Sequence, residues 1–272
     1  MKFAILLLMQ LPVSIYAQSL RQSLSFPYLQ ISAYSSKQND VFSFTGNQAA
    51  LAAIKEPAAG VYGERRFMLA ETTGYAAALQ FPSKMGNFGL QLNHAGYAAF
   101  NENFLGLAYG RSLSARLDVG VQFNYYGYTI PAYNKASTVY FEGGVIMHFS
   151  ENFHGGFHIN NPVGIKAAKG TEKPASRFSF GLGLDASPEF YVGLQLLKEE
   201  NKPVNVNGGF IYQFKKQFFL RGGFTSDNES GFGGAGVSWK KLRLDVSASM
   251  HPQLGLSPGL LLIWSFKNTQ HE

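Results

Sequence analysis

The sequence predicts an all-β fold, a transmembrane antiparallel β-barrel of about fourteen strands, and three observations carry that prediction. From Arg116 to Tyr125 the chain reads RLDVGVQFNY, placing Leu117, Val119, Val121, Phe123 and Tyr125 on one face and Asp118, Gly120, Gln122 and Asn124 on the other. Strict period two with one apolar side is a strand that meets a non-polar medium on that side. The same pattern, in segments of about ten residues separated by turn residues, recurs as far as Phe266, which matches the length of a tilted membrane-crossing strand. Finally, 46% of the 272 residues are hydrophobic and only 15% charged, with 30 glycines, 24 phenylalanines, 14 tyrosines and 2 tryptophans. Soluble domains carry roughly a quarter charged residues, so much of this surface is built for lipid.

Residues 1–17 read as a secretory signal peptide: Lys2 supplies the positive end, Phe3 to Leu11 the apolar run, and Ile15-Tyr16-Ala17 a cleavage site before Gln18. That run is too short for a spanning helix, which needs about 20 apolar residues. Residues 18–60 lack sustained alternation and cannot be wall. Thr45 to Lys55 reads as an alanine-rich helical turn around Asn47-Gln48-Ala49-Ala50-Leu51, with Thr45 or Asn47 accepting from the free amides of its first turn. A segment of this length ahead of a barrel is enough to plug the lumen or hold its periplasmic mouth.

The barrel is expected over 61–266, as alternating segments at 61–70, 73–82, 86–95, 102–111, 115–126, 137–149, 153–160, 176–186, 189–198, 204–213, 217–225, 230–239, 241–250 and 258–266, followed by a tail at 267–272. An even count suits a bacterial single-chain barrel. Connections after even segments are short (PSKM, SLSA, SEN, SP), whereas those after odd segments include AGYAAFN, GYTIPAYNKAS and NPVGIKAAKGTEKPAS. Short periplasmic turns alternating with longer outer loops are expected of such barrels. Lys84, Lys215, Lys216, Lys240 and Lys241 then fall near the inner rim, where outer-membrane lipid is the partner their charge suits. A two-sheet sandwich also alternates. Here, however, the faces opposite the apolar ones carry Gly, Ser, Asn and Gln with few charges, which fits a packed polar lumen.

The order of parts, a pre-barrel segment with an Asn-x-Ala-Ala-Leu turn and then fourteen strands, resembles the FadL superfamily of outer-membrane barrels, including its PorV- and PorQ-like branch. Asn47, Ala49, Ala50 and Leu51 match the superfamily's Asn-Pro-Ala-Gly/Ala-Leu hatch motif, and Gln48 stands where proline is usual. The resemblance implies a bacterial outer-membrane location and an N-terminal hatch. It also implies one of two roles: binding or positioning a secreted or translocon protein in type IX secretion, or passive passage of small hydrophobic molecules.

By parity the lumen-facing polar residues are Glu64 and Arg66 on strand 1, with Gln91, Asn93, Asp118, Gln122, Asn124, Glu142, Asp185, Gln195, Asn205, Asn207, Arg221 and Asp245 on later strands. Charges in a narrow lumen need partners, so Glu64, Asp118, Glu142 or Asp245 is expected opposite Arg66 or Arg221, with some of the set contacting the plug. The turn Ser150-Glu151-Asn152 sets His148 opposite His154. The pair could share a metal or a proton, but His158, four residues along the strand, lies roughly 13 Å from His154 and supplies no third ligand. No cofactor site is expected. The absence of cysteine removes thiolate chemistry and cysteine metal sites; the expectation is a non-enzyme. A net charge of +6 is scattered through turns rather than gathered in a patch, which argues against a nucleic-acid partner.

Overall fold

The computed structural model describes residues 26–131, 134–165, 174–215, 217–227 and 229–266. The signal peptide, the start of the pre-barrel segment, Lys216 and the tail lie outside the described residues. Fourteen antiparallel strands close into one barrel: β1 Ala58–Arg65, β2 Thr73–Phe81, β3 Asn87–Tyr97, β4 Phe100–Ser114, β5 Leu117–Ile130, β6 Asn134–His148, β7 Phe153–Asn160, β8 Arg177–Asp185, β9 Phe190–Glu199, β10 Val204–Phe214, β11 Phe218–Thr225, β12 Ser230–Trp239, β13 Leu242–His251 and β14 Gly255–Ser265. Each strand pairs with the next, and β14 closes on β1 with Val61 opposite Leu262. Closure leaves no unpaired edge, the condition a sheet must meet to cross lipid.

The wall is polar inside and apolar outside. Leu107, Val121, Phe123, Val139 and Val246 project outward and are exposed, while Asp118, Gln122 and Asn124 are buried within. This reverses the burial pattern of a soluble protein and is what a lipid-facing wall requires. At the rim of the short turns, exposed Phe81, Phe149, Phe214, Trp239 and Trp264 form an aromatic girdle. Lys215 and Lys240 each place their Nζ 5.3 Å from the ring centroid of the aromatic before them, Phe214 and Trp239.

Four corrections concern boundaries and loops. β1 starts at Ala58 and ends at Arg65, so Arg66 is not on strand 1; it opens a tight turn in which Phe67 and Met68 adopt positive φ. The connection expected as AGYAAFN is the two-residue turn 98–99, with Tyr97 opposite Phe100. GYTIPAYNKAS likewise shrinks to 131–133, because β5 and β6 pair as far as Ile130 and Asn134. Hairpin pairing continues wherever cross-strand partners allow, so these stretches became taller wall instead of loop. Only 66–72 and 161–176 remain long at that end. The alanine-rich segment forms two short 3-10 helices, Ser43–Thr45 and Gln48–Ala53, in place of one turn from Thr45 to Lys55, and Asn47 rather than Thr45 caps the second by accepting from Ala49 N at 3.0 Å.

The described part of the pre-barrel segment, from Phe26, runs inside the barrel, in the half nearer the short turns. Helix α1 (Phe26–Gln30) and the two 3-10 helices, with Val41 and Phe42 just ahead of the first of these, bury Tyr28, Leu29, Val41, Phe42, Phe44 and Leu51 against the wall. A belt of lumen-facing glycines makes room for them. Gly110, Gly120 and Gly144 are cross-strand neighbours, as are Gly156 and Gly181, and Gly183, Gly193 and Gly209. A Cβ at Gly120 would sit 2.3 Å from the Gln48 carbonyl carbon, at Gly144 2.0 Å from Asn47 Oδ1, and at Gly181 2.0 Å from the Tyr34 ring. Inner backbone and side chains therefore occupy the volume that wall side chains would otherwise fill.

Candidate functional site

The polar ties between inner segment and wall come first. The motif Asn47-Gln48-Ala49-Ala50-Leu51 is buried throughout. Asn47 Nδ2 donates to the Val145 and Phe157 carbonyls at 3.3 Å each, reaching bare wall backbone through the gap left by Gly144 and Gly156. From the other side, Asn87 Nδ2 donates to the Leu51 carbonyl at 2.6 Å and the Ile54 carbonyl at 3.0 Å, satisfying the open end of the second 3-10 helix.

Across the lumen sits an ionic knot. Arg221 Nη2 reaches Asp40 Oδ2 at 2.7 Å, Arg243 binds Asp245 through Nε and Nη2 at 2.9 and 2.5 Å, and Arg243 Nη1 lies 3.4 Å from Asp40. Tyr28 donates to Asp245 Oδ2 at 3.2 Å. Burial pushes the Tyr28 phenol up, so it remains a neutral donor, and it pushes the Tyr34 phenol up likewise. Two carboxylates facing two guanidiniums balance the charge that burial would otherwise make costly. Asp40 and Arg243 were not singled out in the sequence. Arg243 lies two residues before Asp245 on the same strand face, a spacing that marks it; Asp40 lies in a stretch without periodicity and gives no such sign.

Of the other predicted charges, Asp118 and Glu142 find histidines instead of an arginine. Asp118 Oδ2 meets His148 Nε2 at 2.8 Å and Glu142 Oε2 meets His158 Nε2 at 2.9 Å. His148 and His154 face each other in register with their Nδ1 atoms 2.9 Å apart, and His154 Nε2 lies 3.4 Å from Asp185. Asp185 in turn accepts from Ser35 Oγ at 2.5 Å and Ser36 N at 2.9 Å. A chain Asp118–His148–His154–Asp185 thus links wall to inner segment. No group of three or more metal-ligating side chains occurs among the described residues. Glu64 accepts from Tyr62 at 3.2 Å, and burial pulls the Arg66 guanidinium down against the opposing pull of Glu64.

Above the inner segment, towards the end opposite the short turns, a cavity of about 280 Å³ opens. Tyr28, Gln30, Thr45 and Gly46 floor it, and side chains from all around the wall line it. One side is aromatic: Phe104, Tyr126 and Tyr140 line it, and Tyr128, Ala136 and Phe100 pack with them on the tall part of the wall. Much of the rest is amide. Gln91 donates to Asn93 at 3.4 Å, Asn205 to Asn207 at 3.0 Å, and Asn207 to Gln195 at 3.1 Å. Deeper in the same wall, Gln122 and Asn124 both donate to Glu142.

No family model matches the sequence, and no curated protein does. Solved structures do match in fold. The Pseudomonas putida toluene transporter TodX superposes with a TM-score of 0.64 at 10% identity, covering 86% of this chain and 96% of that one. The CymD monoaromatic hydrocarbon channel gives 0.62 at 9%, with 88% and 99% covered. A Pseudomonas aeruginosa FadL homologue gives 0.60 at 11%, with 84% and 93% covered. These likenesses, with the closed fourteen-strand wall and its apolar exterior, identify the fold as that of a FadL-like bacterial outer-membrane β-barrel.

Proposed function

We propose that the protein is a plugged outer-membrane barrel that binds at its open end and does not conduct, with the segment ahead of β1 as the plug. The observation that supports this is the buried knot of Asp40 with Arg221 and Arg243, backed by Tyr28 on Asp245, which holds the inner segment across the lumen. Breaking a buried ion pair costs about 3–5 kcal/mol, so the segment stays docked unless something displaces the network. In this reading the short turns face the periplasm, and the tall hairpins β3–β6 with the cavity face outward. The resemblance to PorV- and PorQ-like barrels adds the partner: a secreted or translocon protein of type IX secretion, positioned by the barrel. The hatch residues Asn47, Gln48, Ala49, Ala50 and Leu51 are structural in that role.

A second reading is a passive channel for small hydrophobic molecules, favoured by the toluene transporter and the monoaromatic hydrocarbon channel among the structural neighbours. Its difficulty is the cavity, whose amide and carboxylate groups would lose water to an apolar cargo without gaining hydrogen bonds. Planar-bilayer recording of the intact protein and of a variant lacking residues 26–55, joined to crosslinking of the native protein in mild detergent, separates the readings. Silence in the intact protein, conductance in the deletion and a stoichiometric protein partner are expected. An extractable hydrocarbon with no protein partner favours the channel, and equal conductance in both proteins removes the plug.

A further inference from the structure

We propose that the cavity above the inner segment is a binding site for a neutral saccharide, such as the end of a glycan. The inference names the ligand class for the open end of the plugged barrel and rests on that reading for the site's access, though not for its chemistry.

Three features narrow the ligand class. Several charged side chains along its wall already hold partners: Glu142 is held by His158 at 2.9 Å, Arg177 by Glu199 at 2.9 Å, and Glu102 takes the Tyr126 hydroxyl. An ionic ligand would have to compete with these internal partners in a partly dehydrated site. A hydrocarbon fails for the opposite reason, since the amides of Gln91, Asn93, Gln195 and Asn207 would be covered by a ligand that returns no hydrogen bond. A peptide commonly binds a sheet by adding a strand to a free edge, and the closed barrel has none. What remains is a molecule that is polar, uncharged and compact.

The positive evidence is the pairing of amides with aromatic faces. The ladder Asn205–Asn207–Gln195 crosses two strands and fixes each amide plane through its neighbour, so donors and acceptors are aimed before a ligand arrives. Opposed to it are Phe104, Tyr126 and Tyr140 on the tall hairpins, and beside it is Phe232, packed edge-on against Tyr28 at the floor with 6.3 Å between ring centroids. A sugar ring has hydroxyls around its rim and C–H groups on its faces; fixed amides match the first and aromatic rings the second. At about 280 Å³ the cavity lies near the lower end of ligand-pocket volumes, which run from about 300 Å³. That is room for a short terminal unit, with the remainder of a chain leaving through the open end.

The test is saturation-transfer NMR on the full chain refolded in lauryldimethylamine oxide, a detergent without sugar. Cellobiose, maltose and N,N′-diacetylchitobiose are the probes, and toluene and tetraglycine the competitors. Saturable transfer to at least one disaccharide is expected, undisturbed by either competitor. Asn207→Leu and Phe104→Ala, on opposite walls, should each weaken it at least tenfold, about 1.4 kcal/mol, while the lipid-facing Val121→Leu leaves it unchanged. Heat-modifiable migration confirms that each variant is a folded barrel. No saturable sugar signal, displacement by toluene or tetraglycine, or indifference to both cavity variants overturns the proposal. A conducting protein that still binds sugar would instead sink only the plugged reading, and a silent one that binds none would sink only this inference.

Discussion

Asp40 shows how one side chain can decide the state of the lumen. It is the inner segment's carboxylate on Arg221, a residue only 3% exposed. Asp40→Ala leaves the Arg221 guanidinium short of a partner and should destabilise docking of the segment by about 3–5 kcal/mol. The checks are cleavage of the inner segment by added protease and the appearance of ion conductance, with the barrel's heat-modifiable migration retained. Tyr34 makes the converse point about volume. Its ring fills the space beside Gly181, where a Cβ would come within 2.0 Å. Gly181→Val should cost about 1–3 kcal/mol by overpacking, read as a lower midpoint of thermal unfolding.

Single strands behave according to which face a residue occupies. Phe123, near the middle of β5, points outward at 64% exposure, while its neighbours Gln122 and Asn124 are buried inside. Phe123→Arg should therefore destabilise the barrel by about 2–4 kcal/mol, and Trp239→Arg at the rim by about 0–1 kcal/mol, because the penalty for a cation falls towards the headgroups. Urea titration of refolded protein in lipid vesicles gives both values. The hairpin β3–β4 depends on Gly96, whose φ is +111° and where an added Cβ would lie 2.2 Å from the Phe100 carbonyl oxygen. Gly96→Ala should cost about 1–3 kcal/mol of local strain and lower the yield of folded barrel.

At the scale of the whole molecule, wall and inner segment form one packing problem. A fourteen-strand wall with full-sized inward side chains would leave no room for the inner helices, and the glycine belt from Gly110 round to Gly209 supplies that room. Removing residues 26–55 should then expose a passage lined by glycine and polar groups. An ion-conducting pore is expected in planar bilayers from the deletion and silence from the intact chain.

The strand pattern was legible because its cause is local. Each residue from Leu117 to Tyr125 declares its face by alternation, and a lipid exterior makes that declaration strong, so all fourteen strands stand close to the positions read from sequence. The lumen parity of Asp118, Gln122, Asn124, Glu142, Arg221 and Asp245, and the facing of His148 and His154, follow from the same period and one short turn. Partner choice followed from it only in part. Asp245 does lie 4.0 Å from Arg221, but the closer partner of Arg221 is Asp40, and Asp118 turns to His148 and Glu142 to His158, because register and barrel closure, not sequence spacing, set which side chains come within reach. Loop heights escaped for a related reason: whether 127–130 is loop or wall depends on cross-strand hydrogen bonds to 134–137, which no single segment encodes. Composition determined that the wall would be glycine-rich and lipid-facing. Only the tertiary structure decided that those glycines make room for Asn47, Gln48 and Tyr34, since the space a missing side chain leaves is defined by what packs into it from elsewhere in the chain.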